Sequence, residues 1–145
     1  MVAHLSRARI IAADAQAIWD VLADFGAISA WADSVDHSCL LRVTAEPVGL
    51  TRRVQVGRLV LTERIIEFDP PGALAYDIEG LPSVAGRVRN RWDLYPLSER
   101  STEVALTTTV EAGSRLVEQV VCRVSGKLSD GLLTGLATHL EATRV

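Results

Sequence analysis

The spacing of apolar residues changes twice along the chain, and each change marks a different kind of element. Ala3 to Ala12 reads as a strand ending in Ile10 and Ile11. Asp14 then offers a side-chain oxygen as N-cap to a short helix from Ala15 to about Ala23. Ile18, Val21, Leu22 and Phe25 stand at i, i+3, i+4 and i+7, which is one stripe of that helix. Asp24, Phe25 and Gly26 break it, and a second short helical turn is expected from Ile28 to Trp31.

From about Asp36 the period becomes two. Strands are predicted from Asp36 to Thr44, Thr51 to Val56, Leu59 to Phe68, Ala73 to Glu79, Arg87 to Leu97 and Thr102 to Glu111. The segments between them carry turn residues, such as Pro47 with Gly49, Gly57 with Arg58, Pro70 and Pro71 with Gly72, and Gly80 with Pro82. Connections this short imply antiparallel neighbours. Beyond Ser114 the period lengthens again, and one helix of roughly 43 Å at 1.5 Å per residue runs to about Ala142. Its stripe is Val117, Val120, Val121, Val124, Leu128, Leu132, Leu136 and Leu140. Gly126, Gly131 and Gly135 interrupt it at about 1 kcal/mol each relative to alanine, so close packing, a bend or open space should accompany them.

The order is therefore one strand, two short helices, six strands and one long helix. This is an α+β chain whose curved antiparallel sheet of about seven strands needs the long C-terminal helix to cover its apolar face. A twisted sheet touching a helix along one line leaves room on either side.

Composition sharpens this picture. With 145 residues, 48% of them hydrophobic, a single domain over 1–145 is expected, with a sizeable core. Aromatic residues are only 5%, so that core must be aliphatic or partly unfilled. A net charge of −3 gives no footprint for nucleic acid and argues against binding an anionic membrane. No run of 18 apolar residues predicts an integral membrane segment, and no leader is read at the start, so a cytoplasmic protein is expected. Cys39 and Cys122 lie far apart in sequence and read as buried small hydrophobes rather than a disulfide framework. His4, His37 and His139 show no metal-ligand spacing, so neither a metal nor another cofactor is expected. There is no G-x-S-x-G elbow, dinucleotide fingerprint or P-loop.

The turn at Gly57-Arg58 fixes a register. With two turn residues, Val56 faces Leu59, Val54 faces Leu61, and Arg52 faces Glu63. These six side chains share one face with Ile65, while Arg53, Gln55, Thr62 and Arg64 take the other. If the first face is the concave one, Arg52 and Glu63 stand in an apolar interior and must pair with each other, water or a ligand. The alternative is a solvated pair on an exposed stretch of sheet. By the same alternation Tyr76, Ile78, Trp92 and Leu106 face inward, across from Leu128, Leu132 and Leu136 of the long helix. Tyr76 reads either as a core tyrosine or as a proton donor. Trp19 reads as helix-to-sheet packing, and the loop from Gly80 to Gly86 as either a gate or an ordinary connection.

The stretch from Ile11 to Phe25, followed by Trp31, resembles the opening of the START-related polyketide cyclase/dehydrase and lipid-transport superfamily (SRPBCC). Gly49 to Arg52, Thr62 to Ile65 with Asp69-Pro70, Arg91 to Pro96 and Ser101 to Val104 follow in the order expected of it. The resemblance implies a helix-grip fold, as in the birch-pollen allergen family and plant abscisic acid receptors, with an apolar small molecule held between sheet and helix. It places Trp31 at a pocket mouth and the positions of Arg52 and Glu63 in a pocket wall. Abscisic acid receptors carry a longer gate loop where this chain has Gly57-Arg58, a departure that argues against receptor-style gating.

The expected function is binding or transport of a hydrophobic small molecule such as a lipid, polyketide or isoprenoid-like compound. Its expected lining is Trp31, Arg52, Val54, Val56, Leu61, Glu63, Ile65, Tyr76, Ile78, Trp92, Leu106, Leu128, Leu132 and Leu136. One alternative is a cyclase or dehydratase acting on a poly-β-keto chain, with Arg52, Glu63 or Tyr76 as the catalytic candidates. A second is a protein-interaction module, which a solid interior and a large exposed apolar patch would favour. Monomer and homodimer both stay open.

Overall fold

The computed structural model describes residues 2–142. Along the chain come β1 (Ala3–Ile11), α1 (Ala15–Ala23), a 3-10 segment (Phe25–Ala30), β2 (His37–Arg42), β3 (Thr51–Val56) and β4 (Leu59–Asp69). β5 (Ala73–Glu79), a 3-10 turn (Ser83–Ala85), β6 (Arg87–Ser98), β7 (Ser101–Glu111) and α2 (Arg115–Ala142) complete it. The expected order is present. β2 is shorter than the expected Asp36 to Thr44: it bulges between Leu40 and Arg42 and ends where Arg42 meets Thr51, the first residue of β3.

All seven strands form one antiparallel sheet in the order β1-β7-β6-β5-β4-β3-β2. A further register shift between Ile65 and Glu67 bends β4. The period of two appears directly in the burial of β7, where Thr102, Val104, Leu106, Thr108 and Val110 are buried and the residues between them are not. Asp14 caps α1 as expected, its Oδ1 accepting from the Ala17 amide at 2.7 Å.

α2 lies chiefly against β1 and β7. Glycine sets how close it comes at two points. A Cβ at Gly126 would stand 3.0 Å from Leu5 and Arg7, and one at Gly135 only 2.4 Å from the Trp31 carbonyl oxygen. Gly131, by contrast, faces open space. The inner half of α2 therefore sinks into the core through Leu132, Leu133, Leu136, Ala137 and Leu140. Its outer half does not: Val120, Val124 and Leu128 lie on the same stripe yet are exposed.

The aromatic residues explain where the core is solid. Trp19 meets Phe68 edge-on at 5.1 Å between centroids, Phe25 meets Tyr76 at 5.4 Å, and Trp31 meets Trp92 at 6.1 Å. Six of the chain's seven aromatic side chains are thus gathered around the inner half of the molecule, and the cavity of the outer half is walled by aliphatic residues and Ser125. Neither cysteine is buried. Cys39 is exposed because β2 is an edge strand, and Cys122 is half-buried on α2, so both depart from the expected core role.

Candidate functional site

The β3–β4 register matches the turn arithmetic: Val56 pairs with Leu59, Val54 with Leu61 and Arg52 with Glu63. This face is the inner one, and Arg52 and Glu63 are only 3% and 7% exposed. Glu63 Oε1 accepts from Arg52 Nε at 2.8 Å and lies 2.7 Å from Nη2. Arg52 Nη1 donates to the Phe25 carbonyl at 2.9 Å. The guanidinium carbon sits 3.7 Å from the Phe25 ring centroid and 4.8 Å from that of Tyr76. Every nitrogen of the guanidinium thus has a protein partner, and two rings cover the group. The arrangement clamps the 3-10 segment at Phe25 onto the sheet.

Tyr76 belongs to the same sealed region. Its hydroxyl oxygen accepts from Trp92 Nε1 at 3.3 Å and Asn90 Nδ2 at 3.4 Å, and Asn90 Oδ1 in turn accepts from the Thr108 hydroxyl at 2.7 Å. Burial, and secondarily the Glu63 charge, push the Tyr76 phenol above its ordinary value, against the opposing pull of Arg52 and of the hydrogen bonds from Trp92 and Asn90. Its folded-state value is raised, so the stabilisation is complete below the unfolded phenol value of about 10 and is lost as pH rises through the folded value. The stability advantage of wild type over Tyr76→Phe should therefore shrink in strongly alkaline solution, as read by urea unfolding across that range. Equal pH slopes for the two proteins would contradict this.

A cavity of about 520 Å³ opens at the other end, between the outer half of α2 and the sheet. Val56, Leu59 and Leu61 of the β3–β4 hairpin form one wall, and Ile78 and Val88 the floor. Leu81, Pro82, Val84 and Ala85 close one side, and α2 supplies Leu116, Val117, Val120, Val121, Val124, Ser125 and Leu128. No aromatic or ionisable side chain is among them. A second hollow, about 490 Å³ on the outer face, is walled by Arg64, Asp77, Glu79 and Arg87, and ion pairs of Arg64 with Asp77 and Glu79 cross it.

Of the residues expected to line a ligand site, Val56, Leu61, Ile78 and Leu128 border the apolar cavity. Trp31, Arg52, Val54, Glu63, Ile65, Tyr76, Trp92, Leu106, Leu132 and Leu136 do not; they are buried in the solid part of the molecule. They share the inner face with the cavity residues but lie where α2 and the aromatic pairs close onto the sheet. Trp31 is packed against Trp92 beneath Gly135 rather than standing at the mouth. Its Nε1 is the buried side-chain nitrogen left without a partner among the described residues. Leu81, Pro82, Val84 and Ala85 of the 80–86 loop border the cavity, as do Val117, Val120, Val121 and Val124, whose position on the α2 stripe was the signal that could have placed those four valines in its wall.

Among the described residues no helix is long and apolar enough to cross a membrane. A search of curated proteins finds no match to the chain. Among solved structures it is similar to the Zhui aromatase/cyclase from Streptomyces sp. R1128, with a TM-score of 0.83 and 19% identity over 97% of this chain and 94% of that one. A START superfamily protein from Mycobacterium smegmatis matches with a TM-score of 0.80 and 18% identity, over 97% and 98% of the two chains. A Thermobifida fusca protein solved by solution NMR has a TM-score of 0.79 and 26% identity, over 97% and 95%. These likenesses are of fold, a curved sheet gripping a long C-terminal helix. The family model for polyketide cyclase / dehydrase and lipid transport matches residues 2–141, and the chain belongs to that family.

Proposed function

We propose that this protein binds a hydrophobic small molecule in the cavity beside the outer half of α2, as a carrier or receptor rather than as a cyclase. The observation behind this reading is the chemistry of the wall: about 520 Å³ bounded by aliphatic side chains and one serine, with no acid, base or aromatic ring among them. Such a wall binds by removing apolar surface from water, at about 25 cal/mol per Å², in a space of ordinary ligand-site size. A poly-β-keto substrate would need polar groups to polarise carbonyls and relay protons. Arg52, Glu63 and Tyr76 have the right chemistry but are engaged with one another and with Phe25, Asn90 and Trp92.

Titration with a fluorescent apolar probe tests the reading, with Val124→Asp as the comparison. Val124 is 56% exposed, so the fold does not depend on it, yet it borders the cavity. The expected outcome is saturable uptake by wild type and at least tenfold weaker uptake by the variant, because a carboxylate in the wall must be desolvated when the guest arrives. Non-saturable uptake, or equal affinity in the two proteins, would remove the basis for the reading.

A further inference from the structure

Fifteen of the sixteen residues bordering the cavity have hydrocarbon side chains; the remaining one is Ser125. Ser125 follows Val121 by one helical turn and precedes Leu128 by three residues, so all three point to one side of α2. It stands near the inner end of the wall, where the helix passes into the core at Ser129 and Leu132. Leu116, at the outer end, is nine residues away, roughly 13 Å along the axis.

Two properties of Ser125 bear on what the cavity accepts. Serine inside a helix commonly turns its hydroxyl back onto the carbonyl of residue i−4. Among the described residues Ser125 Oγ makes no such bond to the Val121 carbonyl and has no other hydrogen-bond partner. The group is also uncharged, and no Lys, Arg or His borders the cavity. One neutral hydroxyl can donate to a carbonyl or ester oxygen, or accept from an alcohol. It cannot offset the desolvation of a carboxylate or phosphate.

Resting on the small-molecule reading above, we infer that Ser125 determines specificity, and that the guest is a neutral chain lipid bearing a single oxygen function: a long-chain alcohol, ketone or ester. The oxygen goes in first and meets Ser125 at the inner end. The hydrocarbon then runs outward along Val121, Val117 and Leu116 toward the β3–β4 hairpin. A chain carrying many oxygens would leave all but one of them without a partner against the aliphatic wall.

Decan-1-ol, decane and decanoate, each measured by displacement of the apolar probe from wild type and from Ser125→Ala, test the inference. Alanine has the higher helix propensity, so the variant keeps α2 intact. The expected result is that Ser125→Ala weakens decan-1-ol by about fivefold, the worth of one neutral hydrogen bond, and changes decane by less than about twofold. Decanoate should bind more weakly than the alcohol and respond little to the substitution. If the variant binds decan-1-ol and decane in the same ratio as wild type, the role of Ser125 is overturned while the cavity reading stands. If decanoate binds best and depends on Ser125, the restriction to neutral guests is overturned. If no member of the series displaces the probe, the small-molecule reading fails together with this one.

Discussion

Replacing Glu63 with alanine is expected to destabilise the protein by about 3–5 kcal/mol, the cost of leaving a buried charge without its partner. Arg52 would keep its bond to the Phe25 carbonyl and its contacts with two rings, but lose the carboxylate that meets Nε and Nη2. At 3% exposure the guanidinium cannot turn to water without pulling the 3-10 segment away from β3. A double substitution, Arg52→Met with Glu63→Leu, should recover most of the loss, because two apolar side chains of similar volume leave no charge to solvate. Urea unfolding of the three proteins is the measurement. A single-variant cost below about 1 kcal/mol would mean that the pair behaves as a solvated surface bridge.

The second large effect is expected at Gly86. Its φ of +69° with ψ of −137° lies in a region essentially restricted to glycine. A Cβ there would fall 2.1 Å from the Glu111 carbonyl oxygen and 2.8 Å from the Ala112 Cα. Neither neighbour gives way readily, since Glu111 pairs with Arg87 at the start of β6. Gly86→Ala should therefore cost at least about 2 kcal/mol, from the conformation alone and before the clash is counted. It should also weaken probe binding, because relief of the clash moves Leu81, Pro82, Val84 and Ala85, which close one side of the cavity. Gly57→Ala is the natural control: its φ is also positive, at +61°, but nothing lies within 4 Å. It should show a smaller loss of stability, and retain probe binding unless the β3–β4 hairpin itself shifts. Equal losses for the two variants would show that contact with Glu111 does not hold the loop.

Much of the fold was legible because it is set by local rules. Alternation every two residues, with turn chemistry between, marked each strand, and a two-residue turn was enough to pair Arg52 with Glu63. Periodicity reports which face a side chain takes and nothing about its depth below the helix. Tyr76 and Ile78 are in phase on β5, yet one lies in the solid core and the other borders the cavity. Leu136 and Val124 share a stripe on α2, yet one is wholly buried and the other exposed. That difference comes from how near α2 approaches the chain at Gly135 and Trp31, a long-range contact that sequence spacing does not encode. Cys39 was misread for a related reason: small apolar character suggests burial, and only the strand order shows that β2 is an edge.

The unequal seating of α2 also bears on the binding proposed above. Its inner turns are pinned by Gly135 against the Trp31 carbonyl and by a run of fully covered leucines, whereas its outer turns rest on valines that are half in water. Glu118 is buried and accepts from the Ala112 amide at 3.0 Å, which ties the first turn of α2 to the chain just past β7, so the least supported stretch is the one around Val120 and Val124. If the cavity takes a guest as proposed, opening would ask least of that stretch and leave the seating at Gly135 in place.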